Sequence, residues 1–137
     1  MKKILFMILF STVLLAQDNG MTPLMVASAD NNVVAIKKLL ASGASVNAQD
    51  ERGLTALMFA SLNNFPDVIQ TLIDNGAAIN MADKMAGSTA LIWASTADRL
   101  EAARTLIKNN ADRTIKDTHN KTALDYARSD EMRQLLK

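Results

Sequence analysis

Apolar residues in this chain fall into short blocks at helical spacing, divided by tight polar turns. Ile36, Leu39 and Leu40 form one block; Val68, Ile69, Leu72 and Ile73 form a second; Ala102, Ala103, Leu106 and Ile107 form a third. Positions three and four apart share one face of an α-helix. A shorter stretch precedes each block. Leu57 and Ala60, three apart, predict a first helix over about residues 56–63. Between the two helices stand Asn31, Asn64 and Asp98, which tolerate left-handed backbone better than other non-glycine residues. Asn32 and Pro66 then open the second helix, and Gly43, Gly76 and Asn110 close it at the position where left-handed geometry is usual.

The same punctuation marks the helix starts. Thr22, Thr55, Thr89 and Thr122 each stand where an N-cap is wanted, and Pro23 after Thr22 fixes the register. Ahead of each threonine lies a turn, Asp50–Gly53 and its counterpart Asp83–Gly87, built from residues that favour side-chain-to-backbone bonding and positive φ. The intervals between the threonines are 33, 34 and 33 residues. A constant period in that range is the signature of a stacked repeat array. Helices this short are marginal alone, below the roughly 12 residues that water tolerates. Stability must therefore sit between units, where each buried Leu or Ile contributes about 1.5–3 kcal/mol. The units run over residues 17–49, 50–82, 83–116 and 117–137, the last shortened as a cap.

Composition narrows the chemistry. Apolar residues make up 49% of the 137, yet there are only one Trp, one Tyr and four Phe, which suits thin helices at close approach. With no Cys, disulfides, thiolate metal sites and a Cys nucleophile are excluded together. The single His, His119, leaves any metal site dependent on carboxylates. Net charge is formally +1, or −1 without Lys2 and Lys3, and no like-charge block gives the footprint of a nucleic-acid binder.

The first sixteen residues read differently from the rest. Lys2 and Lys3 precede an apolar run from Ile4 to Ala16, and the sharply polar Gln17–Gly20 follows. This is the layout of a secretory signal peptide over residues 1–16, with cleavage expected after Ala16. The run is shorter than the roughly 20 residues of a spanning helix, and no Cys follows it to carry a lipid. An uncleaved membrane anchor and a buried helix of the domain are the alternative readings. Export to the periplasm is expected, with secretion as the alternative.

The repeated strings GMTPLMVAS…KKLLASGASVNAQ, GLTALMFAS…QTLIDNGAAINMA and GSTALIWAS…RTLIKNNADRTIK resemble the ankyrin repeat family, across residues 17–137. The fourth string, KTALDYARSDEMRQLLK, keeps Thr122, Leu124, Ala127, Leu135 and Leu136 but loses about four residues between its helices. The resemblance implies an all-α solenoid of about four helix-turn-helix units with turn or β-hairpin fingers. The chain departs from the family's pattern at the His after T-P-L, replaced by Met25, Met58, Ile92 and Asp125, so the inter-repeat bonding of that His must be absent or replaced. Asn120 stands in place of the last turn's Gly, and Thr114 where Asn47 and Asn80 recur. Ala103 in place of Ile36 and Ile69 suggests a thinner third interface, and the third and fourth units are expected to fray first.

What the resemblance implies for function is binding of a protein partner through finger tips and the concave face of the first helices. Carried onto this chain, that surface comprises Met21, Asp30, Arg52, Leu54, Leu62, Asn63, Lys84, Met85, Trp93, His119 and Lys121. Asp18, Asn19, Ala29, Glu51, Ser88, Thr96, Ala97, Thr118, Ser129 and Asp130 flank them. Met21, Leu54, Leu62 and Met85 are apolar where a spacer would need nothing apolar, and flexible Met suits an adaptable contact. Val26, Phe59, Trp93 and Tyr126 occupy one equivalent position, either packing within the stack or reaching the groove as anchors. The extra residue between Asp83 and Thr89 lengthens one finger.

Asp50, Asp83 and Asp117 recur at the period, which places them in a row at turn starts rather than around a metal. Asp117, His119 and Ser129 do not assemble an elbow or an oxyanion hole. No enzyme activity, cofactor or metal is expected. The partner is a protein, not nucleic acid, with no membrane association after leader cleavage, and the chain is expected to be a monomer. The alternative is a secreted inhibitor or effector acting on an enzyme or host protein outside the cell.

Overall fold

A computed structural model describes residues 19–137, so the leader assigned to residues 1–16 lies outside the described residues. Eight helices follow in pairs: α1 Pro23–Ala29 and α2 Val33–Ala41, α3 Ala56–Leu62 and α4 Pro66–Asp74, α5 Ala90–Thr96 and α6 Leu100–Lys108, α7 Ala123–Tyr126 and α8 Asp130–Leu136. First helices pack on first helices and second on second, giving two layers with one continuous core. Among the described residues no helix is long and apolar enough to cross a membrane.

The local signals resolve as the residues dictate. The hydroxyls of Thr22, Thr55 and Thr89 accept the third backbone N–H of their helices at 3.3–3.4 Å. Asn31, Asn64 and Asp98 turn the chain at φ 56, 61 and 55°, and Asn110 and Asn120 adopt 66 and 60° in place of glycine. The positions where the family carries His become apolar fill: Met25, Met58 and Ile92 are buried. In the fourth unit Asp125 instead accepts from the backbone N–H of Thr122 at 2.8 Å and from its hydroxyl at 3.1 Å.

The core is mainly an interface core. Ile36, Ile69, Leu72, Ala103 and Leu106 have no exposed surface. Polar clips cross the same interfaces. The second helix of the third unit has no side-chain cap of its own at Arg99. Asn64 of the unit before supplies one, its Oδ1 accepting from Ala102 N at 2.9 Å. Arg99 Nε in return donates to the Leu62 carbonyl at 2.8 Å. Asn47 accepts from Ala78 N at 2.7 Å, and Asn80 accepts from Asp112 N at 2.9 Å. Thr114, where a third Asn is missing, bonds only Asp112 in its own turn. Each such bond contributes about 1 kcal/mol, and the last interface lacks this one.

The fingers are turns; no strand forms among the described residues. One backbone bond joins each to the next: Glu51 N to Asn19 O, Lys84 N to Arg52 O, and Thr118 N to Ala86 O, all at 2.9 Å. Gly53 is required twice over here. Its φ is +81°, and a Cβ would meet the Lys84 backbone nitrogen at 2.5 Å.

Candidate functional site: the finger row and its aromatic wall

The finger row is organised by three buried carboxylates. Asp50 Oδ1 accepts from Arg52 N and Leu54 N, both at 2.9 Å. Asp83 Oδ1 accepts from Met85 N at 2.9 Å and Ala86 N at 2.8 Å. Asp117 Oδ1 accepts from His119 N at 2.8 Å and Lys121 N at 3.1 Å. A carboxylate holding two backbone N–H groups closes the turn and satisfies donors that would otherwise be orphaned. This is the turn role that repetition of the three aspartates predicts.

The second oxygen of each carboxylate takes a different donor in each unit, a feature that sequence reading missed. Arg52 reaches Asp50 Oδ2 through Nε at 3.1 Å and its terminal nitrogen at 2.8 Å. Trp93 Nε1 donates to Asp83 Oδ2 at 2.9 Å. The Tyr126 hydroxyl donates to Asp117 Oδ2 at 2.5 Å. The ring ladder therefore has two jobs. Phe59, Trp93 and Tyr126 are half-buried against the core, and the two with polar tips tie their helix to their own finger. Phe59 has no polar tip, and there the Arg52 guanidinium both pairs Asp50 and lies 5.9 Å from the ring centroid. Lys121 Nζ lies 5.4 Å from the centroid of Tyr126. The sequence signal was available: a donor appears at residue 93 or 126, or at 52 where the ring is Phe.

Bonding sets the proton affinity of the fourth unit. The Tyr126 hydroxyl, then the N–H groups of Lys121 and His119, hold the Asp117 carboxyl below its ordinary range. Tyr126 is raised by the same bond. Asp125 is lowered by the Thr122 backbone N–H and then its hydroxyl.

The expected surface residues divide. Lys84, Met85, His119 and Lys121 are exposed in the row, and Arg52 is partly so. Met21 and Leu62 are half-buried, and Asp30 and Asn63 are exposed C-caps of α1 and α3. Trp93 is half-buried. Leu54 is a correction: it is only 7% exposed and belongs to the core. Ser88, at the same place in the next unit, is likewise buried. An apolar residue just before an N-cap often packs back against the first turns of its helix, which fits the inward turn of Leu54. Asp18 lies outside the described residues.

Met85 goes the other way, at 52% exposed. Asp83 N closes onto Ser88 O, where Asp50 N closes onto Leu54 O one residue sooner. The residue before the glycine still accepts the bond from the next finger, Ala86 here and Arg52 before. The insertion is thus absorbed as a bulge that turns Met85 out. The His119 ring approaches Asp117 at 3.6 Å, while the Ser129 hydroxyl is engaged by Asp98 at 2.7 Å and by Met132 N at 3.2 Å. Ser129 is an N-cap, and the three residues do not form one constellation.

Comparison with known proteins agrees with this geometry. A family model of ankyrin repeats in three copies matches residues 3–83, and a second, of ankyrin repeats in many copies, matches residues 86–127. The crystal structure of the ankyrin repeat domain of Bcl-3, described as a unique member of the IkappaB protein family, superimposes with a TM-score of 0.80 at 36% identity. The match covers 85% of this chain and 51% of that one, so the chain spans about half the length of the solved domain. A search of curated proteins found no match. Ankyrin repeats in general mediate protein–protein interaction. With the period, the capped helix pairs, the linked fingers and the sequence match all present, this chain belongs to the ankyrin repeat family.

Proposed function

We propose that this chain is an exported, non-catalytic binding module that grips a protein partner along its finger row and the aromatic wall behind it. The observation that carries the reading is the bulged third finger. Bulging exposes a flexible apolar side chain, Met85, in a finger row that also exposes the cations Lys84 and Lys121, while the finger's hydrogen bonds stay intact. A turn maintained for structure alone has no need of such a residue, whereas an exposed Met in a row that also exposes cations is a favourable contact for a partner's apolar and acidic side chains. Arg52 and Lys121 lie over rings and are held in place before binding, which lowers the ordering cost. The charged, then apolar, start of the chain supports export, with the periplasm as the destination and Ala16 as the last residue removed.

The test is capture by crosslinking from the envelope fraction of the producing cell, with the mature chain as bait. A second bait carries Met85→Asp and Lys84→Glu. Loss of one specific protein from the second bait, with equal thermal stability of both, supports the finger row. Equal capture by both refutes it. Recovery of the bait and its partner from culture supernatant, rather than from the envelope, favours a secreted inhibitor or effector using the same surface.

A further inference from the structure

Positions buried in every unit but the last are those the following unit covers, and positions buried in every unit but the first are those the preceding unit covers. The two ends of the stack finish these positions differently. Where Met25, Met58 and Ile92 are buried, the last unit carries Asp125; where Ile36, Ile69 and Ala103 are buried, it carries Arg133. Both are exposed, so charge closes that end. At the other end the positions stay apolar. Ala35 and Leu39 are only half-buried and Pro23 is exposed, where Val68, Leu72 and Ala56 of the next unit are sealed. An open cavity of about 500 Å³ lies over Pro23, Val26, Ala35 and Leu39. A second of about 240 Å³ shares Pro23 and Leu39 and reaches Ala44 and Ala48.

Val34 marks the same end. It is 66% exposed, more so than Met85. The three later units carry Asp67, Glu101 and Glu131 at this place. It lies in the first turn of the second helix, where an acid suits the helix dipole. Val34 forgoes that charge and adds apolar surface next to Ala35 and one turn from Lys38, both of which line the larger cavity. The rim of that cavity holds one acid, Asp30, and one base, Lys38. Among the described residues neither takes part in an ion pair.

We propose that this end binds a second copy of the chain, first unit against first unit about a two-fold axis. A two-fold contact must complement itself, and an apolar face rimmed by an unpaired acid and an unpaired base does so: Asp30 of each copy is set against Lys38 of the other. Head-to-tail stacking is disfavoured, because it would bury Asp125 and Arg133 against an apolar face. The contact therefore closes at a dimer instead of growing into a filament. This replaces the monomer expected from sequence, goes beyond the finger-row reading and does not depend on it.

The test is sedimentation equilibrium of the chain purified from the producing cell, its N-terminus fixed by intact mass. A concentration-dependent monomer–dimer equilibrium with nothing larger is expected. Val34→Glu gives the first unit the acid that the third and fourth already carry, so folding is kept. The change enters a two-fold contact twice and should weaken the dimer by about tenfold or more. Met85→Asp, on the finger row, should leave the dimer unchanged. Asp30→Lys and Lys38→Glu should each weaken it, and mixing the two variants should restore it as a heterodimer. A monomer at every concentration, growth beyond a dimer, a dimer indifferent to Val34→Glu, or a mixture that fails to recover overturns the proposal.

Discussion

Replacing Asp83 removes three bonds from one turn and is the sharpest probe of how the fingers are held. Its carboxylate accepts from two backbone N–H groups and from Trp93 Nε1, all at 2.8–2.9 Å, and the residue is 5% exposed. Bonds to a charged acceptor contribute about 1.5–3 kcal/mol each when their partner is left buried. The finger N–H groups can recover water once the turn opens, so the sum is smaller than three full terms. Asp83→Ala should cost about 2–4 kcal/mol. Asp83→Asn separates the parts: its amide oxygen keeps both backbone bonds, while its NH2 meets the indole N–H donor to donor. That change should cost about 1–2 kcal/mol. Urea unfolding followed by circular dichroism gives both values, and the lone Trp93 reports its own environment in parallel. A double-mutant cycle with Trp93→Phe should then show coupling, because both single changes remove one bond. Additive effects, or an Asp83→Ala cost under about 0.5 kcal/mol, would refute the carboxylate as the organiser of the finger.

Gly53→Ala should destabilise by more than the roughly 1 kcal/mol of an ordinary strained glycine site, because the added Cβ also strikes the Lys84 nitrogen; a melt unchanged from wild type would contradict the finger link. Leu54→Asp should cost several times the price of a surface change, while Met85→Asp should stay within about 0.5 kcal/mol, read in the same urea series. The fourth unit should loosen on both sides of neutrality. Asp117 and Asp125 are lowered, so their stabilisation is present above the ordinary carboxylate pKa and is lost as pH falls through their folded values. Tyr126 is raised, so its contribution is complete below the ordinary tyrosine value and is lost as pH rises through the folded one. Exchange of α8 amides, corrected for intrinsic rate, should accelerate below about pH 4 and above about pH 10, and Tyr126→Phe should abolish the alkaline limb. Amides of the third and fourth units should exchange before those of the second; fastest exchange in the second unit would reject the weak end inferred from Ala103 and Thr114.

The sequence alone determined the repeat, the helix starts and stops, and the row of turn aspartates. All of these are local: a Thr caps its own helix, an Asn takes positive φ, an Asp closes its own turn. Local rules act within four or five residues and are legible wherever the residue types are. The candidate surface was legible only in part, for the opposite reason. Leu54 and Met85 look alike on paper, both apolar residues of a finger. One turns inward and is buried, while the other is expelled because the finger keeps its bond to Thr118 through Ala86 despite an added residue. Trp93 and Tyr126 could be core or groove on sequence; the Asp83 and Asp117 oxygens free to receive them exist only once the turn is folded. Asn64 caps a helix 38 residues away, and Asn47 clips a loop 31 away. Such pairings depend on how unit stacks on unit. The tertiary structure decided them because a short helix pair finds its buried face, and its unsatisfied backbone groups find their partners, only in the next repeat.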